Sequence, residues 1–68
     1  MKAYICLITI REGEVPQLRY VESPSPDALP AALAPVLAEW DSVSLIEVFE
    51  EDTLVGRFDG RTFTHANA

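Results

Sequence analysis

The sequence has little of several residue types on which enzyme chemistry depends. It contains one cysteine, one histidine and three glycines. Because Cys6 is alone, no internal disulfide and no paired-cysteine metal site can form, which fits a reducing, cytoplasmic compartment. The sequence also lacks a Gly-rich phosphate loop and a nucleophile elbow. We therefore predict a protein that is not an enzyme and that uses no cofactor and no metal.

Basic residues are also scarce. Five Lys and Arg stand against eleven Asp and Glu, so that the net charge is −6. Six of the acids lie between positions 39 and 52, where no base occurs. An acidic segment of this kind repels phosphate backbones and membrane surfaces and attracts basic protein surfaces. We expect a basic protein surface as partner, and no direct binding to nucleic acid or membrane.

Long apolar runs are missing as well. The run from Ala3 to Ile10 is too short to span a bilayer, and it leads into Arg11–Glu14 without the small-residue cleavage site of a signal peptide. Its Ile, Leu and Tyr residues predict a β-strand, and both of its alternating faces are apolar. Such a strand is typical of the centre of a sheet that is covered on each side.

Residues 1–68 are predicted to form a single small domain, since 49% of them are hydrophobic. Strands are expected at 2–10, 15–22, 43–50, 53–58 and 61–64, with a type I′ hairpin at Asp59-Gly60. Pro16 places the second strand at an edge or a bulge, because proline cannot donate to the ladder.

A helix is predicted between the second and third strands. Ser25 is its expected N-cap, and Pro30 and Pro35 indicate a start as late as Pro30 and a kink near Pro35. Its apolar face has helical spacing, and its outward positions carry no charge. The residues of the apolar face are Leu29, Leu33, Val36, Leu37 and Trp40, and the outward residues are Pro30, Ala31, Ala34, Pro35 and Ala38.

These elements predict an α+β fold of order β-β-α-β-β-β, with an antiparallel sheet of four to five strands and one helix on one face. One helix can cover only one side of such a sheet, whereas the two central strands are apolar on both sides. Monomers rarely expose large apolar patches, so we expect a homodimer or another protein to cover the second side.

Few residues are candidates for a site. Cys6 and His65 are each unique, but a buried strand cysteine behaves as a hydrophobe and His65 lies near the chain end, so we assign no catalytic residue. Arg57 and Arg61 flank the Asp59-Gly60 turn and could bind an anion, but pairing with nearby acids is favoured. The candidate partner-binding residues are four acids and a Trp that could anchor an interface: Glu47, Glu50, Glu51, Asp52 and Trp40.

The element order and several short segments resemble small phage-encoded anti-CRISPR proteins that inhibit type I surveillance complexes. The segments are Met1-Lys2-Ala3-Tyr4-Ile5, Val21-Glu22-Ser23 before an alanine-rich helix, Ile46-Glu47, and Asp59-Gly60-Arg61. This resemblance implies that the acidic segment mimics a phosphate backbone. The chain departs from relatives that use Lys and Arg contacts.

Two alternatives remain open. The β-β-α order is also similar to that of small antitoxin-like domains that neutralise a basic ribonuclease toxin, although the expected DNA-binding half is missing. The chain could instead be a structural or assembly subunit that forms homo-oligomers through its sheet. The main hypothesis is a small acidic protein-binding module, such as an inhibitor of a nucleic-acid-binding complex.

Overall fold

The computed structural model describes residues 1–59 and 62–66, which form one antiparallel five-stranded sheet with a helix on one face. It confirms the predicted α+β class and the order β-β-α-β-β-β. The strands are β1 (Lys2–Thr9), β2 (Gln17–Ser23), β3 (Leu45–Glu50), β4 (Thr53–Phe58) and β5 (Phe63–His65). A short 3₁₀ turn at Pro26–Ala28 leads into α1 (Leu29–Leu37).

The spatial order of the strands is β2-β1-β3-β4-β5. The two strands with apolar residues on both faces, β1 and β3, therefore lie inside the sheet as predicted, and β2 and β5 form its edges. The predicted second strand begins too early, because Val15 and Pro16 precede β2 and Val15 is 85% exposed. The predicted third strand also starts too early. Ser44 first reaches the sheet through its N–H bond to the Thr9 carbonyl.

The core lies between the sheet and the helix. Alternate residues of the central strands point toward α1, since successive strand side chains alternate between faces. Leu29 and Leu33 of the helix are fully buried against them. The buried strand residues on this side are Tyr4, Cys6, Ile8, Val21, Ile46 and Val48. The predicted apolar face is confirmed for Leu29, Leu33, Val36 and Leu37, of which the last two are partly buried. Trp40 was predicted to belong to the same helix, but α1 ends at Leu37 and Trp40 packs against the core from the turn that follows.

The helix begins later than Ser25, because Pro26–Ala28 forms a separate 3₁₀ turn. Ser25 occupies the N-cap position of that turn without a side-chain cap bond, whereas the buried Ser23 hydroxyl donates to the Ser25 carbonyl at 2.8 Å. Pro30 lies in the first turn of α1, where its missing N–H costs nothing, and Pro35 lies on the exposed side. Within the described residues, no helix is long and apolar enough to cross a membrane.

The last strand, β5, packs on the sheet through a close contact between a side chain of β5 and the backbone of β4. Gly56 of β4 lies directly beneath the ring of Phe63 of β5, and a bulge between Val48 and Phe49 adjusts the pairing of β3 with β4. Asp59 and Thr62 close the connection to β5 through two hydrogen bonds. The predicted type I′ turn and the anion site that included Arg61 both depend on positions 60 and 61, which lie outside the described residues.

Candidate interaction surface

The sheet has one face that the helix does not cover, which we call the open face. The strand registers place four apolar side chains in a row across it: Tyr20 of β2, Ile5 of β1, Phe49 of β3 and Leu54 of β4. Tyr20 is 71% exposed, and the other three are partly exposed. We call these four residues the apolar row. A continuous run of accessible apolar side chains on a sheet is typical of a protein-binding surface.

A second row on the open face is mixed in character. It runs through Leu18, Leu7, Glu47, Arg57 and Thr64, from edge to edge of the sheet. Glu47 and Arg57 are directly opposed in this register, and the Arg57 Nε lies 3.7 Å from the Glu47 Oε2. This pair neutralises the middle of the open face and leaves the apolar row as its most hydrophobic part.

Acidic residues border the apolar row at the end of the sheet where β1 begins. Glu22 of β2 is opposite Ala3, and Glu51 and Asp52 form the turn between β3 and β4. All three are exposed, and none forms an ion pair within the described residues. We call Glu22, Glu51 and Asp52 the acidic end. Its negative charge is uncompensated and lies next to the apolar row.

The acidic residues predicted to bind a partner do not form one cluster. Glu47 lies on the open face with Arg57, whereas Glu50 pairs with the Lys2 ammonium at 3.3 Å on the side of the helix. Only Glu51 and Asp52 stand together and unpaired at the turn. The alternation of a strand separates positions 47 and 50, which are close in sequence.

Trp40 lies away from the acidic end. Its ring stacks under the Arg19 guanidinium at 5.3 Å, and Arg19 also pairs with Glu39 at 3.1 Å. The chain that follows Trp40 reaches the sheet at Ser44, whose N–H donates to the carbonyl of Thr9. Thr9 is the last residue of β1, whereas the acidic end lies where β1 begins. Trp40 is half-buried and lines a shallow hollow of about 270 Å³ with Leu37, Asp41, Ser42 and Val43. Much of the Trp40 side chain is thus covered by the Arg19 guanidinium and by residues of the core.

Cys6 and His65 do not meet. They lie in one register row with Val48 and Gly56 between them, at a separation of three strand spacings, or roughly 14 Å. Burial raises the pKa of the Cys6 thiol to about 11, whereas His65 contacts Asp27 at 3.5 Å. No group of three metal-ligating side chains occurs among the described residues.

The residues of the apolar row were not predicted as site residues. From the two-residue period of a strand, the sequence indicated which residues share a face with Ile5, Tyr20 and Phe49 in their own strands. It did not indicate which face the helix would cover, because both faces of the central strands are apolar.

Comparisons with known proteins add no family to this description. No protein-family model matches the chain, and no similar curated protein or solved structure was found.

Proposed function

We propose that this chain is a non-enzymatic protein-binding module whose open face receives a partner with an apolar centre flanked by basic groups. The observation that supports this function is the position of the apolar row beside the acidic end. Tyr20 is the most exposed large hydrophobic residue in any described strand. Aromatic residues in this setting are the usual anchors of protein interfaces.

The charges favour a basic partner over a neutral or acidic one. Of the four described bases, Lys2, Arg19 and Arg57 are each paired with a carboxylate of this chain. The acidic end has no such compensation, so its field extends to an approaching protein. Burial of the apolar row would supply most of the affinity, and the acids would raise the association rate and set the orientation.

Proteins that bind nucleic acids carry clusters of Lys and Arg that contact the phosphates, and such a cluster is the kind of basic surface that the acidic end would attract. The acidic end would then occupy positions that phosphates normally fill, as the resemblance to anti-CRISPR proteins implies. The apolar row would add contacts that a nucleic acid does not make, and the chain would act as an inhibitor of such a complex.

Site-specific photo-crosslinking tests the proposal. A photo-reactive phenylalanine analogue is placed at Leu18 or Thr64, at opposite edges of the open face, and at Ala34 on the exposed side of α1 as control. After incubation with lysate of the native host, we expect the same basic protein to be crosslinked from both open-face positions. The control position should give no such product.

The charge reversal Glu51→Lys with Asp52→Lys provides a second criterion. It should reduce the yield of that crosslinked protein several-fold at about 50 mM salt and have a smaller effect at about 500 mM, where the Debye length is only a few ångströms. The matched control Glu12→Lys with Glu14→Lys changes the charge equally at the β1–β2 turn. A product that is equally strong from Ala34, or insensitive to both reversals, would overturn the proposal.

A further inference from the structure

The β2 strand is an edge whose outer side no other described strand of this chain pairs with. Its outward contact among the described residues is from the Arg19 side chain to the Leu18 carbonyl, which has a second lone pair free. It has seven residues and pairs only with β1, so alternate residues direct their N–H and C=O groups away from the sheet. The exposed Arg19 Nη1 donates to the Leu18 carbonyl at 3.0 Å, which places that carbonyl on the outer side. Since backbone direction alternates along a strand, Tyr20 and Glu22 also present their N–H and C=O outward.

The two edges of the sheet differ in how they resist pairing. The other edge, β5, has only three residues, and a strand this short offers little backbone to a partner. By contrast, β2 has no proline, lysine or bulge within its bounds. Its two charged residues, Arg19 and Glu22, are of opposite sign. Most devices that keep an edge from pairing are thus missing from β2.

We infer that β2 pairs antiparallel with β2 of a second copy of this chain about a two-fold axis at Tyr20. Tyr20 is the midpoint of Gln17–Ser23, so this register opposes Tyr20 to its counterpart and Leu18 to Glu22 of the other copy. The outward groups of Leu18, Tyr20 and Glu22 then form three residue pairs that each exchange two N–H···O bonds.

The flanking prolines select this register. An axis at Arg19 would bring an outward backbone group opposite Pro16, and an axis at Val21 would bring one opposite Pro24. Neither proline has an N–H to donate. An axis at Arg19 would also oppose two guanidinium groups, and like charges directly opposite destabilise a sheet. The axis at Tyr20 avoids both problems and opposes two aromatic rings.

The charges close to this edge do not oppose a second copy, although each chain is acidic overall. Each chain carries −6, but β2 contains only one base and one acid, and Arg19 is paired with Glu39. The register at Tyr20 places Glu22 opposite Leu18 and not opposite another acid. The exposed positions of α1 carry no charge, so the two helices would face each other across the joint without repulsion. The pairing would join two five-stranded sheets into one of ten strands and would leave the apolar rows on one continuous face. It does not depend on the proposed function.

Sedimentation velocity and amide hydrogen exchange test this dimer. Over about 10 µM to about 500 µM protein, we expect a monomer–dimer equilibrium. The amides of Leu18, Tyr20 and Glu22 should become protected as the concentration rises. Tyr20→Lys should weaken dimerisation about tenfold or more, since it opposes two ammonium groups and removes the aromatic pair. The control Ala34→Lys adds the same charge on α1 and should have little effect.

The register is tested by crosslinking. Tyr20→Cys should form an intermolecular disulfide under mild oxidation, because directly opposed Cα atoms lie about 5.5 Å apart. Glu22→Cys should not, since the two copies of that position are offset by about 13 Å along the strands. The buried thiol of Cys6 stays unreactive. A chain that is monomeric at all concentrations, or a dimer whose Leu18, Tyr20 and Glu22 amides stay unprotected, would overturn the inference; the second result would indicate packing through the open face.

Discussion

At the scale of single residues, the environment of Gly56 leaves no room for a side chain. A Cβ atom at this position would lie 2.9 Å from both Cε atoms of Phe63 and closer still to its Cζ. Real side chains do not make such contacts, so any substitution must displace the ring. Because β5 has only three residues, the Phe63 ring on Gly56 is a large part of what holds this strand on the sheet.

We therefore predict that Gly56→Ala lowers the free energy of unfolding by about 1–3 kcal/mol, the usual cost of overpacking. Urea denaturation followed by circular dichroism measures the change. Adding Phe63→Leu to this variant should recover part of the loss, because the smaller side chain leaves room for the methyl group. If the double variant is less stable than the sum of the two single changes predicts, the clash is not the cause.

At the scale of elements, the turn between β3 and β4 combines charge with an unfavourable backbone. Glu51 has φ of 55°, in the left-handed region that favours Gly and Asn. It also lies between two further acids, Glu50 and Asp52. Glu51 is therefore destabilised in two ways, by its positive φ and by repulsion from the neighbouring acids. Substitutions that change only one of these separate the two effects.

Glu51→Asn should stabilise the protein by up to about 1 kcal/mol, because Asn tolerates positive φ and carries no charge. Glu51→Gln removes the charge alone and should give a smaller gain. Glu51→Val should destabilise, since a β-branched residue is least tolerant of this conformation. Thermal unfolding at low salt ranks the three variants. Equal stability of the Asn and Gln variants would show that the backbone contributes nothing.

At the scale of the whole molecule, electrostatic repulsion opposes folding. The net charge of −6 is confined within dimensions of 28 × 21 × 19 Å, so most acids lie within a few Debye lengths of one another. The ion pairs of Lys2, Arg19 and Arg57 are solvent-exposed, and such pairs contribute about 0–1 kcal/mol each. Repulsion among the uncompensated acids should exceed this contribution.

Salt should accordingly stabilise the protein. Raising NaCl from about 0.05 M to about 0.5 M screens the repulsion, and we expect the melting temperature to rise by a few degrees. The variant with Glu51→Lys and Asp52→Lys has a net charge of −2 and should respond less. Differential scanning calorimetry at fixed protein concentration measures both. A wild-type melting temperature that falls with salt would mean that the ion pairs dominate.

The strands and the helix could be predicted because local patterns determine them. The segments of β1 and β3 are short apolar runs whose length and β-branched and aromatic residues favour strands, and the spacing of Leu29, Leu33 and Val36 favours a helix. The first residues of β2 and β3 were predicted less well. Whether Val15 or Ser44 belongs to a strand depends on whether a neighbouring strand is there to pair with it, which the local sequence does not show. The acidic residues were identified as a charged segment, but the sequence did not reveal that Glu47 and Glu50 lie on opposite sides of the sheet, each paired with a base.

The sequence by itself determined the α+β class, the order of elements, the central place of β1 and β3 and the excess of negative charge. All of these follow from the composition and periodicity of short segments. Only the tertiary structure decided which sheet face stays open, because both faces of the central strands are equally apolar in sequence. It also placed Glu47 and Glu50 on opposite sides, and it left β2 as the long free edge, because strand order depends on packing across the whole sheet.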